Sequence, residues 1–157
     1  MYQWLIIDGN NLIHMHPKFK RMRHTDFDGA RKGLVAEIDG MATTLASRVT
    51  VVFDGTIGGK AQGYGATQID VEFSTADITA DGVIERLVYG SKRPQEITVV
   101  TSDRVERDTV EAAGGNSVSC KSFLEDLNQG ASDISQEIQK IKDRPPPGRL
   151  GDFFPDM

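Results

Sequence analysis

Short apolar runs recur along the chain and predict the strands of a sheet. The clearest are Trp4 to Ile7, Val49 to Phe53 and Ile97 to Val100, and each stops at or within a few residues of an aspartate. Their hydrophobicity is continuous, which is typical of strands that are covered on both faces of a parallel sheet. The run from Gln68 to Phe73 alternates more, which suits an edge strand, and Ser117 to Cys120 is a weak fifth candidate.

The segments between these runs have the spacing of amphipathic helices. Apolar residues recur every three or four positions from about Asp28 to Ser47 and predict a long helix there. Further helices are predicted to begin near Thr79, at Asp103 and, from a capping-box spacing, at Ser122. Because strands and helices alternate, the expected fold class is α/β, with an open, mostly parallel sheet and helices on both faces.

The chain of 157 residues is long enough for one domain with its own core. We place that domain at residues 1–130, and at residues 131–157 a C-terminal helix, with candidate residues Ile134 to Ile141, and a flexible tail. The run Pro145-Pro146-Pro147-Gly148 cannot continue a helix, although Phe153 and Phe154 could dock on the domain. Between the second and third predicted strands, the glycine-rich stretch from Gly55 to Gly65 reads as a flexible loop.

Composition narrows the possible functions. No stretch approaches the roughly 18 apolar residues of a membrane span, and the N-terminus does not resemble a secretory signal. The single cysteine, Cys120, allows no internal disulfide, so we expect a cytoplasmic protein without a membrane role. The net charge of −5 argues against a broad basic surface that wraps nucleic acid, but it does not exclude an RNA enzyme whose site is acidic.

Four aspartates are expected to meet at one edge of the sheet. Asp8, Asp54 and Asp103 each follow a predicted strand, and the carboxyl ends of parallel strands share an edge; Asp81 lies in the first turn of a helix that could reach it. Converging carboxylates repel one another unless a cation joins them, and Mg²⁺ prefers such oxygen ligands. For any single aspartate, a turn or helix-capping role is the stronger alternative, and Asp103 suits a cap because Glu106 follows at capping-box spacing.

Four motifs together carry a family resemblance. LIIDGNNLI, FDG, TADGVIERLV and TSD occur in this order, and they resemble the YacP-like branch of the NYN family over about residues 1–128. The resemblance implies the PIN-like nuclease fold, with an acidic metal site, and an endoribonuclease activity.

The resemblance also implies roles for individual residues. Asp8, Asp81 and Asp103 would be catalytic metal ligands, with Asp54 completing the metal site. The Asn11 side chain would orient Asp8 or contact a phosphate of the substrate. Two hydroxyl residues before the last aspartate would support that aspartate or bind phosphate, with helix capping left open as the alternative; these residues are Thr101 and Ser102.

A basic segment follows the first strand, from His14 to His24. Its cations could bind the RNA backbone without reading bases, and Phe19 could stack on a nucleotide. A solvated connection with Phe19 in the core is an equally good interpretation. The histidines lack the spacing of a zinc motif such as HExxH. The cationic side chains of this candidate substrate-binding segment are those of Lys18, Lys20, Arg21 and Arg23.

Other motifs fail. Gly58-Gly59-Lys60 lacks the preceding glycine and the following hydroxyl residue of a phosphate loop, and the first strand lacks the acidic pair of a receiver domain. We therefore expect a Mg²⁺-dependent endoribonuclease, with Mn²⁺ as an alternative ion, acting on RNA that is single-stranded or messenger RNA. The open alternatives are an RNA- or ribosome-binding module with little catalysis and a DNA-directed 5′ nuclease.

Overall fold

Five parallel strands form one sheet within the residues that the computed structural model describes, which are 1–55 and 63–143, with backbone only for 131–135. The spatial order is β3-β2-β1-β4-β5, and every neighbouring pair is parallel. This confirms the predicted fold class, and the alternating run does form an edge strand. The strands are β1 (Tyr2–Asp8), β2 (Ala46–Phe53), β3 (Asp70–Phe73), β4 (Ile97–Val100) and β5 (Asn116–Val118).

The helices differ from the prediction in two places. Helices α1 and α2 were not predicted because, at seven and four residues, they are too short to show an apolar period. Helix α6 is continuous where two helices were predicted, since one glycine inside a helix costs only about 1 kcal/mol. The helices are α1 (Gly9–Met15), α2 (Phe19–Met22), α3 (Phe27–Leu45), α4 (Ala80–Tyr89), α5 (Arg104–Ala112) and α6 (Cys120–Lys142).

The core lies on both faces of the sheet. Ile6 packs in one buried cluster with Ile84 of α4 and Val110 of α5. Since neighbouring side chains of a strand point to opposite faces, Leu5 and Ile7 lie on the other face, where α1 and α3 pack. Burial on both faces explains why the strands read as continuous apolar runs.

The register brings the ends of the central strands together. Ile7 of β1 lies beside Val51 of β2 and beside Val100 of β4. All three strands run in the same direction, so the residues that follow them collect at one edge of the sheet. Asp8 and Asp103 therefore lie at the same end, as predicted.

The chain divides into two compact units, Met1–Leu124 and Glu125–Met157. The first contains the sheet and helices α1 to α5, while our division at residue 130 stays a prediction. None of the helices in the described ranges is long and apolar enough to cross a membrane. The predictions for the glycine-rich loop and the proline-rich tail concern mainly residues 56–62 and 144–157, which lie outside those ranges.

Candidate metal centre

Asp8 ends the central strand and begins the first helix. Its side chain caps α1, where its Oδ1 accepts a hydrogen bond from the Asn11 amide at 3.2 Å. Only 5% of Asp8 is exposed. The glycine that follows is required by packing, because a Cβ at Gly9 would lie 2.3 Å from the ring of Phe53. Asp8 and Gly9 together thus place a buried carboxylate at the carboxyl-terminal end of the central strand.

Glu106 lies in α5, which follows β4, and its carboxyl group comes close to that of Asp8. It is 2% exposed, and its Oε2 accepts a hydrogen bond from the Thr101 hydroxyl at 3.1 Å. The same hydroxyl lies 3.5 Å from Oδ2 of Asp8 and accepts a hydrogen bond from the Asp103 amide. Fully buried Thr101 thereby holds the two carboxyl groups against each other.

Asp81 completes a group of three carboxylates. It is half-buried in the first turn of α4, whose N-terminus is capped by the Thr79 hydroxyl. Asp8, Asp81 and Glu106 each offer an oxygen, and these oxygens lie within 4.8 Å of one another. We call these three residues the acidic cluster. Asp81 is its most accessible member, so the cluster opens to solvent on that side.

Burial and mutual repulsion make the acidic cluster hold protons. The pKa of Glu106 is raised to about 10, first by burial and then by the charges of Asp8 and Asp81. The pKa of Asp8 is raised to about 6, chiefly by burial, although its hydrogen bonds to Asn11 and Glu106 oppose the change. Without a counter-ion, Glu106 is therefore neutral at physiological pH.

The donor set of the acidic cluster fits a hard divalent cation. The buried Oε1 of Glu106 has no N–H or O–H partner among the residues that the structure describes. Once Glu106 is ionised, this oxygen has no donor in the described part of the chain, and a bound cation would supply the missing partner. Three carboxylates with one open side also match the preference of Mg²⁺ for a few carboxylates together with water and phosphate.

Asp54 and Asp103 lie at the same edge but are not members of the acidic cluster. Oδ1 of Asp54 accepts a hydrogen bond from the Ala80 amide at 3.0 Å, and its Oδ2 accepts one from Asn10. Oδ1 of Asp103 accepts from the amides of Val105 and Glu106 and thus caps α5. Both carboxylates serve helix N-termini, as the capping alternative expected; their metal-binding roles stay predictions.

The predicted substrate-binding polar residues form a network around the acidic cluster. Oδ1 of Asn11 accepts hydrogen bonds from the Ser102 amide at 2.8 Å and from the Cys120 thiol at 3.3 Å. The Ser102 hydroxyl accepts one from the Cys120 amide. Asn11 and Ser102 therefore join the connections after β1 and β4 to the start of α6. Their contact with a substrate stays a prediction.

The basic segment combines buried aromatic side chains with exposed cationic ones. Phe19 is 3% exposed and packs on the ring of His16, whose Nε2 lies 3.2 Å from Oε2 of Glu37. Phe19 is thus a core residue, and the suggestion that it stacks on a nucleotide is wrong. The cations remain on the surface: Lys18, Lys20 and Arg21 are exposed, and Arg23 is partly exposed beside His14.

Sequence reasoning missed Glu106 as a member of the site. Its spacing from Asp103 was interpreted as a capping box, but the Asp103 amide donates to Thr101 instead. The available signal was its helical position, because Glu106 and Val110 are one turn apart and both are buried. A glutamate on the apolar face of a helix requires a partner.

Sequence and structure comparisons relate the chain to known proteins. The family model of the YacP-like NYN domain matches residues 5–150. Uncharacterized protein YacP of Bacillus subtilis (strain 168) is 27% identical over 148 residues, which are 93% of this chain and 87% of the relative. Two crystal structures of Rae1 (YacP) from Bacillus subtilis, one of them of a mutant, each match with a TM-score of 0.74 and 27% identity. The matches cover 90% and 88% of this chain, and 85% and 81% of those chains.

Proposed function

Because this chain belongs to the family of YacP-like NYN domains, which are PIN-like nucleases, we propose that it is a metal-dependent endoribonuclease. Its site for phosphodiester hydrolysis is the acidic cluster of Asp8, Asp81 and Glu106. The observation that carries the proposal is the convergence of three carboxyl oxygens within 4.8 Å of one another, two of them from buried residues. Buried, mutually repelling carboxylates lower the stability of a fold, and such groups occur most often at functional sites.

The three carboxylates differ in their exposure and therefore in their proposed roles. Asp8 and Glu106 are buried and are held by Thr101 and Asn11, so their oxygens have a defined position. Asp81 is accessible and borders the side from which an RNA phosphate enters. Glu106 must release its proton before it can act as a ligand. A bound Mg²⁺ or Mn²⁺ would neutralise the phosphate and activate water for in-line attack.

The exposed cations of the basic segment support an RNA substrate. Lys18, Lys20 and Arg21 follow α1, whose N-terminus is capped by Asp8, and they would offset the repulsion between an acidic protein and RNA. Lysine and arginine contacts to phosphates position a strand without reading its sequence. RNA that is single-stranded or messenger RNA is the substrate we propose, and an RNA- or ribosome-binding module without catalysis is the alternative.

The test uses purified protein with single-stranded RNA, structured RNA and DNA of the same sequences. Each is incubated with Mg²⁺, with Mn²⁺ and with a chelator. We expect internal cleavage of RNA only with metal. Asp8→Asn and Glu106→Gln should lower turnover by about 100-fold or more while RNA binding survives, because they remove ligand charge at nearly constant volume. The matched control is Asp108→Asn, at an exposed position of α5.

The same assay separates the alternatives. RNA that is bound but never cut under any metal condition supports the binding module and overturns the nuclease proposal. Cleavage that is as fast in Glu106→Gln as in the parent would remove the acidic cluster from the reaction. Cleavage of DNA in preference to RNA would favour the 5′ nuclease.

A further inference from the structure

Two adjoining cavities form a track that begins beside the acidic cluster. The first has a volume of about 330 Å³ and lies between Asp54 and the connection from β3 to α4, residues 74–79. The second, which we call the outer cavity, has a volume of about 510 Å³ and lies between β3 and α4. Thr75, Asp77 and Ile78 line both cavities, so the two adjoin each other at this connection. Both volumes are within the range of small-molecule pockets.

The inner end of this track adjoins the acidic cluster. Asp54 lines the first cavity and bonds the amide of Ala80, the residue before Asp81. Its charge is also close enough to contribute to the raised pKa of Asp8. The main chain here is closely packed, because a Cβ at Gly55 would lie 1.5 Å from the carbonyl oxygen of Ser74. Asp54 therefore links the first cavity to the acidic cluster, and a strand whose scissile phosphate lies at the cluster would pass along this wall.

The outer cavity has the chemistry of a base pocket. Three of its lining residues, Ile78, Val83 and Leu87, are aliphatic and provide surfaces for a flat ring. The Phe73 ring lies on the other face of the sheet, against Phe53 and Tyr64. The charged residues at its wall are Glu72, Asp77 and Arg86. Two carboxylates against one guanidinium make the cavity unfavourable for a phosphate, whereas a base is uncharged.

The polar groups of the outer cavity match one base better than the others. Ionised Glu72 and Asp77 only accept hydrogen bonds, and Arg86 only donates them. Guanine carries adjacent N–H donors on one edge and the acceptors O6 and N7 on another, and arginine pairs bidentately with O6 and N7. Adenine, cytosine and uracil also carry a donor and acceptors, but each has only one donor group. None of them combines two adjacent N–H donor groups with two adjacent acceptors, as guanine does.

We propose that the outer cavity binds the guanine base of a nucleotide flanking the cleaved bond and thereby sets the cleavage preference, an inference that rests on the proposed endoribonuclease activity. Asp77 and Glu72 accept from the Watson–Crick edge of the base, Arg86 donates to its O6 and N7, and the apolar residues contact its faces. The scissile phosphate then lies at a constant number of nucleotides from a guanine.

The binding test does not depend on catalysis. GMP, AMP, CMP and UMP are titrated into the isotope-labelled full chain in the presence of a chelator, so that a metal-bound phosphate does not contribute. GMP should shift the amide resonances of residues 72–87 and bind about 10-fold more tightly than AMP. Asp77→Asn and Arg86→Met should each abolish this preference, and Asp108→Asn should retain it. Equal binding of the four nucleotides, or a preference that both variants retain, overturns the base pocket.

Cleavage mapping then tests the role of the pocket in RNA. In a randomised single-stranded RNA with Mg²⁺, guanine should be enriched about 10-fold at one fixed distance from the cut, and Asp77→Asn should remove the enrichment. Cutting without such a position overturns this inference but leaves the nuclease proposal intact. A protein that prefers GMP but never cuts RNA has a base pocket and is not a nuclease, so the two failures are distinguishable.

Discussion

Glu106 and Asp8 link the protonation of single residues to folding. Both pKa values are raised in the folded chain, to about 10 from 4.5 for Glu106 and to about 6 from 3.8 for Asp8. The folded state then binds more protons than the unfolded state. Stability from these groups is present in full below their unfolded pKa values and is lost as pH rises through the folded ones. The window is therefore about pH 4.5 to 10 for Glu106 and 3.8 to 6 for Asp8.

We predict that the metal-free protein becomes less stable as pH rises from 5 to 8. Glu106→Gln keeps the shape of the neutral side chain and removes its proton linkage, so this variant should be more stable than the parent at pH 8 and less sensitive to pH. The measurement is the melting temperature at several pH values in chelator. A parent whose melting temperature rises steadily over this range would contradict the raised pKa of Glu106.

Addition of Mg²⁺ gives the complementary control for the same residue. The cation should raise the melting temperature of the parent more at pH 8 than at pH 5, because its ligands must be deprotonated. Glu106→Gln should lose most of this gain, and Asp108→Asn should keep it.

At the scale of elements, the connection from α1 to α2 combines an anchor with a charged surface. His16 is held by Glu37 of α3 and accepts hydrogen bonds from the amides of Lys18 and Phe19. A Cβ at Gly33 of α3 would lie 2.5 Å from the ring of Phe19, so α3 packs closely on it. The exposed cations therefore rest on a fixed backbone. That these cations, which follow α1, contact the RNA backbone stays a prediction.

Replacing the four cations of this segment by glutamine should weaken RNA binding for all sequences alike. Each phosphate contact that is lost should lower the slope of log K against log salt by about 0.7 for a single strand. The measurement is RNA affinity at several salt concentrations for a variant of Lys18, Lys20, Arg21 and Arg23. Metal-induced stabilisation should remain.

The control for the basic segment lies at the amino-terminal ends of the strands, away from the acidic cluster. Lys92 and Arg93 are exposed and precede β4, so their replacement by glutamine removes charge away from the acidic cluster. The segment variant removes four charges and the control removes two, so the losses are compared per charge removed. An equal loss per charge in both variants would show that overall charge, and not this segment, governs RNA binding.

At the scale of the whole molecule, the sheet and the acidic cluster belong to the unit Met1–Leu124. We predict that removal of residues 144–157 leaves folding and metal binding unchanged, since the proline run cannot continue α6 and lacks an apolar period. The check is the melting temperature of a chain ending at Asp143, with and without Mg²⁺. A large decrease would mean that Phe153 and Phe154 anchor the tail to the core.

The sequence by itself determined the parallel sheet, the edge position of β3 and the end at which the aspartates collect. Continuous apolar runs require cover on both faces, and strands alternating with helices require crossovers in one direction. Both properties depend on patterns of neighbouring residues, which are present in the sequence itself. Asp8 and Asp81 were placed correctly at the sheet edge on that basis, and the motifs around them identified the family.

Only the tertiary structure decided which carboxyl groups share a centre. Asp54 and Asp103 follow strands, and like Asp8 they accept hydrogen bonds from helix amides. Of these three aspartates, Asp8 is the one that also lies with Asp81 and Glu106. Glu106, the third residue of α5, turns inward and joins Asp8 through Thr101. Sequence spacing cannot distinguish a cap from a ligand, because both need an aspartate after a strand. The choice depends on which donors the folded chain brings within hydrogen-bonding distance.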